Sequence, residues 1–255
     1  MPWRLIAFLL FAASTAHAQI VNVQGAIAKP PAKNEVDGQV ELKLAWAEGN
    51  APVFDMAGAA SVVWKHDDFL SLAQVRGEYG TAAGVLNTKK TFEHLRERYR
   101  LSCVWRWEAF AQHEYDEFKR LSLRALFGTG PAIQILNEPA LAMLAGASYM
   151  FEYIRLDHRG DVSDSGRRFT GSRGSLYLTA REQLATNVAF LQTFYYQPLL
   201  EDASNFRLLG DAAIEVKLSK RFAILDGFTV DYDSAPPDGV HHYDTLLKVG
   251  LVISL

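Results

Sequence analysis

Arginine side chains recur at alternate positions in several segments of the sequence, and carboxylate side chains recur in the same pattern. Arg96, Arg98 and Arg100 are each two residues apart, and Arg207 and Asp211 lie on one face of another alternating stretch. Alternate residues of an extended chain point to the same side. Such charges form ion pairs when they face one another across a narrow interior, and they select ions or small solutes when they line a continuous gap.

A set of these side chains is the candidate for a charged interior lining. Its members are Arg76, Arg96, Arg98, Arg100, Arg106, Glu108, Arg120, Arg124, Arg181, Arg207, Asp211 and Glu215. Glu41 and Glu78 are further carboxylates that could pair with the arginines. The sequence leaves both interpretations open: a ladder of ion pairs that fills the interior, and a charged lining that selects solutes.

Two other segments combine acidic and histidine side chains, which could hold a metal or supply a catalytic base. Residues 157–164 contain His158, and residues 231–242 contain His241 and His242. Their spacings match no metal-ligand pattern, including the calcium loop. The sequence also has no Gly-x-Ser-x-Gly elbow, no His-Glu-x-x-His motif and no phosphate-binding loop. We therefore predict solvated loops and no catalytic, cofactor-binding or metal site.

The elements that carry these charges alternate between apolar and polar faces. In residues 206–218 the even positions from Phe206 to Leu218 are apolar or small, whereas Arg207, Asp211 and Glu215 lie on the other face. A face with that much charge cannot pack on a dry core, because unpaired charge is too costly to desolvate. The charged face must therefore meet water or partner charges.

The joints between the extended segments alternate in length. Tight turns are predicted at residues 66–68, 101–103, 137–139, 185–187 and 219–221, and longer joints at 80–88, 157–172, 198–205 and 234–241. This rhythm is typical of outer-membrane barrels, which have short periplasmic turns and longer outer loops. We predict an all-β fold: a closed antiparallel up-and-down transmembrane β-barrel of about 12 strands, with about 10 and about 14 as alternatives.

Aromatic residues near the strand ends and the last segment favour the same fold. Aromatic side chains are favoured at membrane interfaces, and here they are Trp46, Tyr79 and Tyr243 toward the loops and Trp64, Tyr99, Trp105 and Trp107 toward the turns. The alternation continues to an apolar C-terminal residue, Leu255. We expect this final strand to be read by the barrel-assembly machinery.

Three places depart from a simple alternating pattern. Glu93 and Glu97 fall on an apolar face, which requires either that the strand extends above the membrane or that its register shifts. Residues 128–131, Gly-Thr-Gly-Pro, are either a bulge within a strand or a true turn, because proline cannot donate to a ladder. Residues 226–227, Asp-Gly, leave the same choice open.

The N-terminal residues and the bulk composition restrict the destination. Residues 1–18 are predicted to be a cleaved signal peptide, with Arg4, a short apolar core and a small-x-small site ending at Ala18. Residues 19–37 are predicted to be a flexible periplasmic lead-in, and residues 38–255 the barrel. The single cysteine, Cys103, excludes an internal disulfide, and the formal net charge of -3 argues against nucleic-acid binding.

One stretch resembles a known family. It contains the run Glu-Tyr-Asp-Glu-Phe at residues 114–118, followed by Leu121, Leu123, Arg124 and Gly128-x-Gly130. This pattern is similar to the family named domain of unknown function 481, whose members are described as salt-induced outer-membrane proteins. The resemblance covers nearly the whole mature chain. It implies an outer-membrane barrel, and it supplies neither a substrate nor a functional residue.

Taken together, the sequence predicts a monomeric, non-enzymatic barrel in the cell outer membrane with no cofactor. Its expected partners are outer-membrane lipid and the barrel-assembly machinery, and no nucleic acid is expected. A narrow pore and a structural protein linked to salt or envelope stress are both compatible with this prediction. The alternatives are a surface-exposed barrel hydrolase that acts on lipid or peptide, and a binding or adhesion module that uses its loops.

Overall fold

The structure is a computed structural model that describes residues 22–24, 34–49 and 52–254. The predicted signal peptide, residues 1–18, lies outside the described residues. Of the predicted lead-in, residues 22–24 and 34–37 are described. The described residues contain no helix that is long and apolar enough to cross a membrane.

Twelve antiparallel strands form one closed barrel, as predicted. The strands are β1 Val36–Ala47, β2 Val53–His66, β3 Phe69–Ala82, β4 Val85–Arg100, β5 Trp105–Asp116, β6 Leu121–Asn137, β7 Leu141–Leu156, β8 Arg168–Ala185, β9 Val188–Pro198, β10 Phe206–Lys217, β11 Phe222–Asp233 and β12 Tyr243–Ser254. Each strand pairs with the next, and β1 pairs with β12 from Gln39↔Ser254 to Leu42↔Leu251. This last pairing closes the barrel and leaves no free sheet edge.

The polarity of the barrel is inverted relative to a soluble protein. Outward-facing Leu44 is 70% exposed, whereas inward-facing Glu108 and Glu152 are each 0% exposed. Outward apolar faces are stable when lipid covers them, and buried charges are stable when they are paired. The alternation in the sequence thus places the apolar side chains outside and the ionic side chains inside.

The barrel has two unlike ends. The turn end carries the joints at residues 67–68, 101–104, 138–140, 186–187 and 218–221. The loop end carries the joint between β1 and β2 and those at 83–84, 117–120, 157–167, 199–205 and 234–242. The long joint predicted at residues 80–88 is wrong. Ala83 and Gly84 alone join β3 to β4, and both have positive φ values, 49° and 76°. Two successive residues with positive φ form the tight turn that matches the twist of a hairpin.

Strand β6 runs without interruption through the Gly-Thr-Gly-Pro stretch. The pairing with β7 has the same register on both sides of it, at Thr129↔Tyr149 and Ala132↔Gly146. A Cβ at Gly130 would lie 2.1 Å from the carbonyl oxygen of Ala147, so the two backbones approach too closely there for any side chain. Residues 226–227 also lie within a continuous strand, β11, which fixes the strand count at twelve.

Glu93 and Glu97 lie on the outer face of β4, and the register there does not shift. The β3–β4 pairing is regular from Phe69↔Tyr99 to Gly80↔Thr88. Each carboxylate instead has a polar partner on a neighbouring strand: Glu93 pairs with His113, and Ser71 Oγ donates to Glu97 at 2.6 Å. Local pairing, and not a change of register, accommodates these two carboxylates.

Candidate functional site in the barrel interior

The loop half of the interior is organised around Glu152, a completely buried carboxylate on β7. Three arginines donate to it: Arg124 Nε at 2.7 Å, Arg173 Nε at 2.8 Å and an Arg207 terminal nitrogen at 2.6 Å. The sequence brings them together because each occupies an inward position of its own strand, β6, β8 or β10. One carboxylate therefore joins four strands.

Two further carboxylates complete this cluster. Glu114 accepts from Arg124 at 3.0 Å, and Asp233 accepts from Arg207 Nε at 2.9 Å. We call the six side chains the Glu152 network: Glu114, Arg124, Glu152, Arg173, Arg207 and Asp233. Its three arginines match its three carboxylates, and it crosses the interior from β5 to β11. Within this balanced and buried set, every charge has a partner of opposite sign.

A second cluster, the Glu108 group, lies nearer the turn end. Glu108 accepts from Arg96 at 2.8 Å, from Arg98 Nε at 2.6 Å and from the Tyr177 hydroxyl at 2.9 Å. The Arg96 guanidinium also lies 4.7 Å from the centroid of the Phe110 ring, a cation–π contact. Two arginines share one carboxylate here, so this group carries one positive charge in excess.

Three residues of the predicted lead-in lie inside the barrel. Val23 is buried against an apolar cluster that includes Leu72 and Phe92. Asn22 Nδ2 donates to Asp211 at 2.8 Å, and an Arg98 terminal nitrogen donates to Gln24 Oε1 at 3.0 Å. One apolar and two polar contacts thus hold this short segment in the interior.

Two interior cavities border that segment. The turn-end cavity has a volume of about 260 Å³ and is lined by Gln24, among others. The seam cavity has a volume of about 210 Å³, lies beside the β1–β12 closure and is lined by Asn22. The two cavities have no lining residue in common. Asn22 thus borders one cavity and Gln24 the other.

The seam cavity contains ion pairs that are only partly buried. Lys90 Nζ lies 3.0 Å from Glu78, with both side chains 28% exposed, and Lys248 Nζ lies 2.6 Å from Glu41. Pairs at this exposure are hydrated and contribute little to stability. This side of the interior is therefore accessible to solvent, in contrast to the buried Glu152 network.

At the loop end, Arg120 connects three loops. Its guanidinium donates to Asp157 at 2.9 Å, to Asp164, and to the carbonyl oxygen of Asp238 at 2.9 Å. Burial raises the pKa of the Asp164 carboxyl, but the backbone N–H of Asp238 and the Arg120 guanidinium outweigh it, and the pKa lies below its ordinary value. We call these four residues the Arg120 hub.

The structure distributes the twelve predicted lining residues over five places. Arg124 and Arg207 belong to the Glu152 network, and Arg96, Arg98 and Glu108 to the Glu108 group. Arg76, Asp211 and Glu215 line the seam cavity, whereas Arg100, Arg106 and Arg181 line the turn-end cavity together with Arg98. Arg120 lies in the joint between β5 and β6 at the loop end.

Sequence reasoning missed several members of these clusters. Glu152 was not singled out because the inward face of β7 also carries Leu144, Met150 and Ile154, so it shows no polar pattern. Arg173 shares the inward face of β8 with the predicted Arg181, and this spacing of eight residues is a signal that could have found it. Glu114 and Asp233 lie at strand ends beside predicted loops.

The described residues contain no group of three or more histidine, cysteine or acidic side chains placed to hold a metal ion. His242 makes two local contacts: its Nδ1 lies 2.9 Å from the carbonyl oxygen of Asp233, and its ring stacks on Tyr232 at 6.2 Å between centroids.

The family described as "Protein of unknown function, DUF481" matches residues 40–255. Among solved structures, the chain is similar to the translocator domain of autotransporter NalP from Neisseria meningitidis, with 12% identity, 86% of each chain covered and a TM-score of 0.46. It is also similar to the NanC porin, with 8% identity over 86% of this chain and 98% of that chain and a TM-score of 0.48. For an anion-selective porin from Comamonas acidovorans the identity is 8%, the coverage 87% and 99%, and the TM-score 0.42. No curated protein matches the chain.

Proposed function

The chain belongs to the DUF481 family, and we propose that it is a non-enzymatic outer-membrane barrel whose interior is filled across its loop half and does not conduct. The observation that carries this proposal is the Glu152 network. Its six buried side chains extend from Glu114 on β5 to Asp233 on β11, and each arginine reaches a carboxylate within 3.0 Å. An ion that crossed this region would have to break buried, charge-assisted hydrogen bonds.

The outer surface supports a location in a membrane. Leu42, Leu247 and Val249 are more than half exposed, and such side chains form a continuous apolar surface on a closed barrel. A bilayer covers a surface of this kind, whereas water does not stabilise it. We propose outer-membrane lipid as the partner of this surface, and the barrel-assembly machinery as the partner of the C-terminal strand.

Conductance of the full mature protein in a planar bilayer tests the filled interior. We expect no stepwise current above the bare membrane, with circular dichroism of the same preparation reporting an intact β structure. Stable current steps that change in size in an Arg124→Ala variant would contradict the proposal, because Arg124 would then border a conducting path.

A gated narrow channel is a second candidate, favoured by the seam cavity. Its walls carry partly exposed ion pairs, and the segment formed by Asn22, Val23 and Gln24 borders both this cavity, through Asn22, and the turn-end cavity, through Gln24. If this segment is a plug, replacing its three residues by glycine produces current steps that the unaltered protein lacks. A Lys248→Gln substitution in that background then changes the ion selectivity. If the glycine variant shows no current steps, the gated channel is ruled out.

The non-enzymatic part of the proposal has its own test. The loop histidines are the side chains that would serve a surface hydrolase, and His242 is engaged with Asp233 and Tyr232 instead. We expect no turnover of ester-linked lipid or of peptide substrates by the reconstituted protein. If the protein turns over one of these substrates and His158→Ala or His242→Ala abolishes that turnover, the non-enzymatic assignment is wrong.

A further inference from the structure

We propose that the turn-end cavity binds an oxyanion: phosphate, sulfate or the carboxylate group of a small solute. This inference goes beyond the filled barrel, since a barrel that does not conduct can still bind a ligand at one end. Binding and conductance are measured separately, so either proposal can fail without the other.

The cavity collects positive charge from four strands. Its volume is about 260 Å³, and five cationic side chains line it: Lys65, Arg98, Arg100, Arg106 and Arg181. Two acidic side chains, Asp67 and Asp68, are also in the lining. The formal charge of the lining is therefore 5 − 2 = +3, in a protein whose overall formal charge is -3.

The carboxylates near the cavity do not neutralise this excess, because cations share them. Glu108 accepts from both Arg96 and Arg98. Glu215 lies 3.7 Å from Arg181 and 3.7 Å from Lys217. Asp68 forms an ion pair with the exposed Arg100. Each of these carboxylates therefore already has a cationic partner, and Glu108 and Glu215 each have two.

Two of the five cations have no acidic partner among the described residues. Lys65 and Arg106 form no ion pair within 4 Å with any residue that the structure describes, and both are half-buried. The Arg106 guanidinium donates to the carbonyl oxygen of Val104 at 3.1 Å, which uses one of its five N–H groups. Four N–H donors of this positively charged guanidinium therefore remain for a ligand or for water.

The residue types define the chemistry of the ligand. Arginine presents a planar fork of donors that matches the oxygens of a phosphate, sulfate or carboxylate, and it is weakly hydrated. Several like charges in one partly enclosed cavity repel one another, and a bound anion relieves this repulsion. The lining also contains Phe69, Leu70 and Leu144, so an apolar portion of the ligand has a surface to contact.

Isothermal titration calorimetry of the full mature protein in detergent at low salt tests the site. The probes are inorganic phosphate, sulfate and succinate, titrated separately to distinguish the anion types. We expect saturable binding of at least one probe. Replacing Arg106 by glutamine weakens it about tenfold, the effect of losing one charge-assisted contact. Raising the salt concentration also weakens it.

Arg221→Gln is the matched control, because it removes the same charge at the turn end outside the cavity lining. We expect this variant to bind like the unaltered protein. Lys65→Gln is a second test variant in case Arg106→Gln does not fold, and we expect it to weaken binding as well. The proposal is overturned if none of the three probes binds saturably up to about 10 mM, or if Arg221→Gln loses as much affinity as Arg106→Gln and Lys65→Gln.

Discussion

The loop half and the turn half of the barrel interior are built from the same residue types and differ in how their charges are matched. In the loop half, three arginines meet three carboxylates in the Glu152 network, and Arg120 joins the loops above it. In the turn half, Glu108 and Glu215 are each shared by two cations, and Arg106 has no acidic partner among the described residues. Matched charges fill a barrel, whereas an unmatched excess leaves a site that a ligand of opposite sign can occupy.

The largest expected effect comes from breaking the balance in the loop half. Glu152→Gln keeps the shape of the side chain and leaves three buried arginines without their shared carboxylate. Removing one partner of a buried ion pair typically costs about 3–5 kcal/mol. We expect a loss of this size in the free energy of unfolding, measured by urea titration in lipid vesicles. The exposed turn residue Glu138 provides the control, and Glu138→Gln should change stability by less than about 0.5 kcal/mol.

A comparison of two arginine variants sharpens the difference between the halves. Arg207→Gln leaves Asp233 without its arginine and removes one of the three arginines that donate to Glu152. We therefore expect the free energy of unfolding to fall by about 3 kcal/mol or more. Arg106→Gln removes a cation that has no acidic partner in the part of the chain that the structure describes, so its effect on stability should lie within about 0.5 kcal/mol of zero or be stabilising. If both variants unfold at the same urea concentration, the charge matching of the two halves does not differ as described.

The smallest effect is expected at the loop end, where it depends on pH. The pKa of Asp164 is lowered in the folded protein, so its stabilising contribution is present above the ordinary carboxyl range and is lost as the pH falls through the folded pKa. Amide hydrogen exchange of residues 157–167 should therefore accelerate at acidic pH. In Asp164→Asn the exchange should be faster at neutral pH and should lose this dependence. An unchanged pH profile in that variant would mean that another group controls the loops.

The barrel itself was predictable from the sequence, because the period of two between apolar and polar residues survives in most strands. The strand count and the outward position of Leu42 and Leu247 follow from that pattern. The two-residue joint at Ala83 and Gly84 was not predictable in the same way, since both flanking strands extend into residues 80–88, whose glycine, threonine and asparagine residues resemble a loop.

The charge clusters were predictable only in part. Alternation identifies Arg124 and Arg207 as inward-facing, but no pattern along the chain shows that both reach Glu152, which lies 28 residues from one and 55 from the other. The position of Val23 inside the barrel was equally hidden, because a three-residue segment has no periodicity. Pairing across a barrel depends on register and curvature, which the local sequence does not encode.

Two inward-facing positions of β8 permit the most direct comparison of a filled and a hydrated interior. Ser175 is 3% exposed next to the Glu152 network, and Thr179 lines the turn-end cavity four residues further along the same face. In a Cys103→Ser background, a membrane-impermeant thiol reagent should modify Thr179→Cys rapidly and leave Ser175→Cys protected in the folded barrel. Equal rates of modification at the two positions would show that water reaches both halves alike, and the filled loop half would be contradicted.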